Sequence, residues 1–326
     1  MLLGGAAVAE TLRIATFHSG LGRRGPGLML RDLAVARDPQ AEAALDVIAH
    51  AAPNVVLLLD IDWDLDGVGL AALTDRLAEH GLEYPHNVAL KPNSGIPSGI
   101  DLDGDGTDDR ARDAMGYGRF TGDSGLALLS DRPIGRITDH SKTLWSARSD
   151  AVAVLPEAAH GIVPLATTAQ WVVELGDLTL ITLAAGTPVF DGPEDRNGKR
   201  TADELALVSE LAETVPHPVV LGRGNVDPVD GDGPRAAMRA LLDHPALQDP
   251  VPRGAGGGGA GHSGDPALDT VAWEGPGPLR VDYVLPGTSL DIRDSGVLWP
   301  ALDDPFAETV AAAGSGRLVW VDIALP

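Results

Sequence analysis

The residues best suited to chemistry lie where short apolar runs end in Asp, Asn, His or Arg. From Val219 the chain reads V-V-L-G-R-G-N-V-D-P-V-D-G-D-G, so Arg223, Asn225 and Asp227 follow directly on a β-branched run. A buried strand opening into a Pro- and Gly-rich turn would set these three at its carboxyl edge, where α/β folds keep their chemistry. Asn and Asp oxygens suit a divalent cation, whereas a guanidinium suits an anion or a carboxylate. Two further run ends join them: His18 closes R-I-A-T-F-H, and V-V-L-L-L-D-I-D carries Asp60 and Asp62. The imidazole of His18 can ligate a metal, meet a phosphate, or sit at a strand end hydrogen-bonded to a carboxylate. Asp62 and Asp64 read as solvated or turn-capping, and Asx turns alone would account for Asn225 and Asp227.

A second candidate is the acidic run Asp101 to Asp113, D-L-D-G-D-G-T-D-D-R-A-R-D. Asp101, Asp103, Asp105, Thr107 and Asp109 fall at alternating positions with Gly106 sixth, which follows the calcium-loop pattern. Arg112 stands where that loop carries its bidentate Glu, leaving Asp113 or a distant carboxylate to supply the missing ligand. The run Asp191 to Asn197 reads as a self-paired turn in which Arg196 neutralises its acidic neighbours.

The elements that would position these groups are legible from periodicity. Apolar runs at 12–17, 55–61, 125–129, 152–155, 171–175, 178–183, 219–221, 280–285 and 318–323 read as strands. Apolar residues spaced by three and four predict helices over 41–51, 69–79, 202–212 and 236–242. The alternation points to an α/β protein with helices covering sheets. No linker divides the chain; 91–119 reads as a long irregular zone and the Gly-rich tract 254–264 as a mobile surface loop.

Composition narrows the partners. With 24 Lys and Arg against 47 Asp and Glu, the formal net charge of −23 attracts divalent cations and argues against nucleic acid as a partner. The absence of Cys excludes disulfides, thiolate metal sites and Cys nucleophiles. No apolar run approaches the roughly 18 residues that span a bilayer. The opening M-L-L-G-G-A-A-V-A-E is similar to the tail of a signal peptide without its basic region, or is a plain strand-leading segment. Residues 1–11 are therefore expected to be a leader or signal remnant, and 12–326 one domain.

In order and spacing these landmarks resemble the endonuclease/exonuclease/phosphatase superfamily, and more closely a bacterial, often exported branch of it. R-I-A-T-F-H at Arg13 and V-V-L-L-L-D-I-D at Val55 look like its first two strands. S-G-L-A-L-L-S-D-R-P-I at Ser124, R-V-D-Y-V-L-P at Arg280 and G-S-G-R-L-V-W-V-D at Gly314 look like its middle, Asp-Tyr and last strands. The resemblance implies a DNase I-like fold, a four-layer α/β sandwich of two packed mixed sheets flanked by helices. It implies a metal-dependent phosphoesterase ancestry, and secretion or a periplasmic location, with a cytoplasmic one if the N-terminus is complete.

The catalytic positions depart from the family's pattern. His18 stands for an Asn, Asp60 for a metal-binding Glu, Ala184 near an expected His, and Arg223 for the Asp of Gly-Asp-x-Asn. Ser315 and Gly316 stand for the terminal Asp and His, while Asn225 and Asp282 keep their identities. Arg223 is expected to occupy the old metal site, paired with Asp60, Asp227 or Asp282. Arg317 with His18 and Arg223 would make a small anion site, or disperse into separate ion pairs. The reading is a non-catalytic member with a structural Ca2+ loop, binding a small ligand or a protein. The enzymatic alternative is a hydrolase with Mg2+ or Mn2+ held by Asp60, Asp227, Asn225 and His18. A third reading is an exported calcium-binding interaction module.

Overall fold

The computed structural model describes residues 10–257 and 262–325. Its first half runs β1 (Thr11–His18), α1 (Leu28–Val35), α2 (Pro39–Ala51), β2 (Val55–Ile61), α3 (Val68–Glu79), β3 (His86–Val88), β4 (Gly125–Ser130) and β5 (Ile137–Asp139). There follow β6 (Trp171–Leu175), β7 (Leu178–Ala184), α4 (Arg196–Thr214), β8 (Pro218–Arg223) and α5 (Arg235–Leu242). The last part holds β9 (Val271–Ala272), β10 (Pro278–Leu279), β11 (Asp282–Pro286), β12 (Asp291–Val297), α6 (Ala307–Ala312) and β13 (Val319–Ala324).

The strands form a six-stranded sheet, β12-β13-β1-β2-β4-β3, and a five-stranded sheet, β11-β8-β7-β6-β5, beside the small β9-β10 ribbon. Both large sheets are mixed: β1 and β2 are parallel, as are β7 and β8, and the other neighbours are antiparallel. Alternate side chains of a strand point to opposite faces. Leu12 and Ile14 of β1, Val55 and Leu57 of β2, and Val219 and Leu221 of β8 therefore meet in one buried cluster between the sheets. Phe17, Val56 and Leu58 turn the other way onto Met29, Leu45, Ile48 and Leu73 of α1, α2 and α3. Val220, Tyr283 and Leu285 turn onto Leu205, Val208 and Met238 of α4 and α5. Helices, sheet, sheet and helices make the four-layer α/β sandwich that the resemblance implied.

Three expectations need correcting. The run 152–155 is no strand but lies in a 3₁₀ helix, Asp150–Val154, whose first turn is capped by Ser149. Its apolar residues pack with Trp145 and Leu165 in a separate cluster against Leu207 of α4, so burial there needs no sheet partner. The helix expected at 202–212 begins six residues earlier, at Arg196. Four short strands (β3, β5, β9 and β10), the longer β12, and the helices α1 and α6 carried too little periodicity to be seen. The expected leader lies outside the described residues as far as residue 9, and Thr11 already belongs to β1. Within the Gly-rich tract 258–261 also lie outside them, while Ala255 and Gly256 both donate to the Trp299 carbonyl.

Candidate functional site

Strand parity builds the centre of the site. His18 and Arg223 share the inward faces of Ile14 and Leu221, and both end their strands, so they arrive together at one rim of the inter-sheet space. Asp282 opens the antiparallel β11 directly opposite Arg223 in register. Arg223 therefore donates from Nε to Asp282 Oδ1 at 2.7 Å and from Nη2 to Oδ2 at 2.8 Å, a bidentate pair in which Asp282 is fully buried and Arg223 nearly so. The guanidinium carbon also lies 5.7 Å from the Trp273 ring centroid. Of its three candidate carboxylate partners, Asp282 takes Arg223.

His18 is half-buried beside this pair. Burial, and then the Arg223 charge, lower its pKa to about 4 against the opposing pull of Asp60 and Asp282, so the ring is neutral at pH 7. Among the described residues it donates to no carboxylate, contrary to the expected hydrogen bond. Gly316 closes the rim: a Cβ there would stand 2.6 Å from the His18 carbonyl oxygen and 3.5 Å from Arg223 Nη2. A histidine side chain does not fit at this position.

Asp60 sits in a β-bulge between Leu59 and Ile61 with φ of 60°, which takes it out of the strand's alternation. Its Oδ1 accepts from Ser124 Oγ at 2.5 Å, and it makes no ion pair with Arg223. Asp62, buried nearby, accepts from the amides of Arg23 and Ser124; burial, chiefly, raises its pKa to about 6. Asp64 caps the start of α3 through the amides of Val68 and Gly69.

The remaining candidates are occupied or distant. Asn225, at φ 53°, donates from Nδ2 to the Ala185 carbonyl. Asp227 accepts from the amides of Val229, Asp230 and Arg280, which makes it a turn residue. Ser315 is exposed and pairs through its backbone with Ala272. Arg317 stacks on Trp299 at 4.4 Å and donates to the carbonyls of Gly314 and Gly316. Of the two alternatives for this trio, the joint anion site is not assembled: His18 and Arg223 lie together, while Arg317 is held by Trp299 and two carbonyls.

A catalytic divalent cation needs several free oxygens. Asp282 gives both of its oxygens to Arg223, Asp227 gives both to backbone amides, and Asp60 gives one to Ser124. One Asp60 oxygen, Asn225 Oδ1 and the neutral His18 ring remain, and the fixed charge of Arg223 lines the same cavity. These residues do not fit the catalytic metal.

The rim opens into a cavity of about 510 Å³ lined by His18, Asp60, Arg223 and Asn225 at one end and by Leu102, Trp145 and Leu155 at the other. Arg112, Arg196 and Arg200 also line it. Sequence reading missed Arg200 and assigned Arg196 to a turn because it began the helix at Ala202; four residues apart in α4, the two share one face. Arg196 was expected to neutralise the 191–197 turn, yet it donates to the Leu102 carbonyl and forms no ion pair with Asp191, Glu194 or Asp195.

In the acidic loop, carboxylate oxygens of Asp101, Asp103 and Asp105 lie within 4.8 Å of one another. Thr107 donates to Asp105, and Asp109 lies outside the group. Asp113 does not complete it: the carboxylate is buried and accepts from the amides of Leu102 and Arg110.

A helix–sheet–sheet–helix sandwich with a cleft at the strand ends defines a DNase I-like α/β protein. Over residues 23–315 the sequence matches the Endonuclease/Exonuclease/phosphatase family, and the chain belongs to it. A solved endonuclease/exonuclease/phosphatase from Beutenbergia cavernae DSM 12333 is similar at 18% identity and TM-score 0.57, over 97% of this chain and 72% of that one. A 3' phosphatase, NExo, from Neisseria bound to product DNA hairpin matches at 15% identity and TM-score 0.52, over 95% and 98%. Sphingomyelinase C from Streptomyces griseocarneus matches at 14% identity and TM-score 0.52, over 96% and 99%. No curated protein matches this sequence. At these identities the solved structures bear on the fold. Among the described residues, no helix is long and apolar enough to cross a membrane.

Proposed function

We propose that this protein is a catalytically degenerate member of its family that binds a small ligand in the cleft. The observation that carries the reading is the buried Arg223–Asp282 pair, which sets a guanidinium where the resemblance implies a catalytic carboxylate. Ala184 and Gly316 supply no side-chain donor at the two positions where the resemblance implies histidines. Loss of one general acid or base removes about 10²- to 10⁴-fold in rate, and several lost together leave little of the family's chemistry. The net charge of −23 favours a small ligand over nucleic acid. The Asp101, Asp103 and Asp105 group is the proposed site for a structural Ca2+, supported by the spacing of their oxygens.

The test is hydrolysis of bis-(p-nitrophenyl) phosphate and p-nitrophenyl phosphate with magnesium, manganese or calcium, beside Asp60→Ala. Background rates for both proteins are expected. Metal-dependent turnover lost in Asp60→Ala would mean that the cleft is a rebuilt metal site and that the protein is a hydrolase.

A further inference from the structure

We infer that the cavity holds a small organic anion, a carboxylate or phosphate head on an apolar body, gripped by arginines without a metal ion. This deepens the ligand-binding reading above and rests on it. Four arginines (112, 196, 200 and 223) line the cavity against one acidic residue, Asp60, in a chain whose acids outnumber its bases 47 to 24. Such an inversion of the surrounding charge focuses anions into the cleft.

Most of these cations have no direct carboxylate contact. Arg223 has Asp282, but Arg112, Arg196 and Arg200 form no ion pair among the described residues. Arg200 donates from Nε to the Leu165 carbonyl and from Nη2 to those of Met115, Pro164 and, at 3.4 Å, Ala166, while Nη1 shows no hydrogen bond among the described residues. Glu204, the acidic group whose charge acts on Arg200, accepts from the amides of Thr167 and Gly186 and makes no direct ion pair with it. Burial lowers the Arg200 pKa to about 10 against the opposing pull of the Glu204 charge, with Arg196 adding to the lowering. A bound anion would relieve that cost and accept charge-assisted hydrogen bonds.

The walls specify the rest of the ligand. Leu102, Trp145, Leu155 and Val163 supply apolar surface, and Tyr117 and Phe190 line the cavity although 57% and 78% exposed. An aromatic or aliphatic body of drug-like size suits such a space. The acidic exterior opposes a polyanion, so the ligand is small.

The experiment is isothermal calorimetry in EDTA with phenyl phosphate, 3-phenylpropionate and inorganic phosphate. Phenyl phosphate or 3-phenylpropionate is expected to bind, at least about tenfold more tightly than inorganic phosphate. Which of the two binds identifies the head group. Arg196→Gln and Arg112→Gln should each weaken binding by about tenfold, and Arg200→Gln by more. Because Arg200 ties four carbonyls and its variant risks misfolding, the Arg112→Gln/Arg196→Gln double variant, checked by circular dichroism, carries the test. Absence of binding by both organic probes, unchanged affinity in the double variant, or binding only after magnesium is restored overturns the inference. The hydrolysis assay on the same proteins separates the two claims. No turnover and no binding sinks the anion site alone, whereas metal-dependent turnover with metal-free, arginine-dependent binding sinks the degenerate-enzyme reading alone.

Discussion

Asp282→Asn should destabilise the fold far more than its change in volume suggests. The substitution leaves Arg223, 4% exposed, with its guanidinium buried and its countercharge gone, while the apolar cluster between the sheets stays intact. Breaking a buried pair by removing one partner costs about 3–5 kcal/mol, because the remaining charge is uncompensated. Arg223→Met should cost a similar amount by stranding Asp282. The double variant removes both charges and should lose no more than either single one, giving a coupling energy of about 3 kcal/mol or more. Asp60 and Asp227 offer no rescue, since Ser124 and three backbone amides hold them. Urea denaturation of the four proteins at pH 7 measures the cycle. Additive losses within about 0.5 kcal/mol would show that the two side chains do not act as a pair and would remove the basis of the occupied-cleft reading.

Acid should reveal two opposed titrations. His18, lowered to about 4 from 6.5, favours unfolding as pH falls through that window, because the unfolded chain takes up the proton first. Asp62, raised to about 6 from 3.8, does the reverse, since the native state binds the proton first. His18→Asn should therefore gain stability relative to the parent between pH 7 and 4, and Asp62→Asn should lose it, each by roughly 2–3 kcal/mol; parallel pH profiles for all three proteins would refute both assignments. Gly316→Ala forces a Cβ against the His18 carbonyl and should cost about 1–3 kcal/mol by thermal denaturation, with an unchanged midpoint counting against the tight rim. Magnesium calorimetry should show no tight binding that Asp60→Ala abolishes. Calcium should raise the melting temperature of the parent but not of Asp101→Asn/Asp103→Asn, and equal shifts would dismiss the loop as a calcium site.

Much of the framework was legible because it is local. The runs at Leu12, Val55 and Val219 announce strands by β-branched content, and their period of two already places His18 and Arg223 on the faces that turn inward. Asp60 escaped that logic, because a bulge and a left-handed backbone, invisible in composition, turn it out of sequence with Leu59. The strand expected at 152–155 failed because four apolar residues bounded by Ser149 and Pro156 satisfy their backbone in a short 3₁₀ helix and their side chains against Leu207.

By itself the sequence determined the family and the alternating elements, both carried by residue type and short-range spacing. Tertiary structure alone decided which carboxylate Arg223 meets: Asp282 is 59 residues away, and only the β8–β11 register puts it directly opposite. It likewise decided that Arg112, Arg196 and Arg200 converge on one cavity. The start of α4 and the 3₁₀ turn Ala111–Asp113 approach the Arg223 end of β8 there through packing that no local pattern encodes.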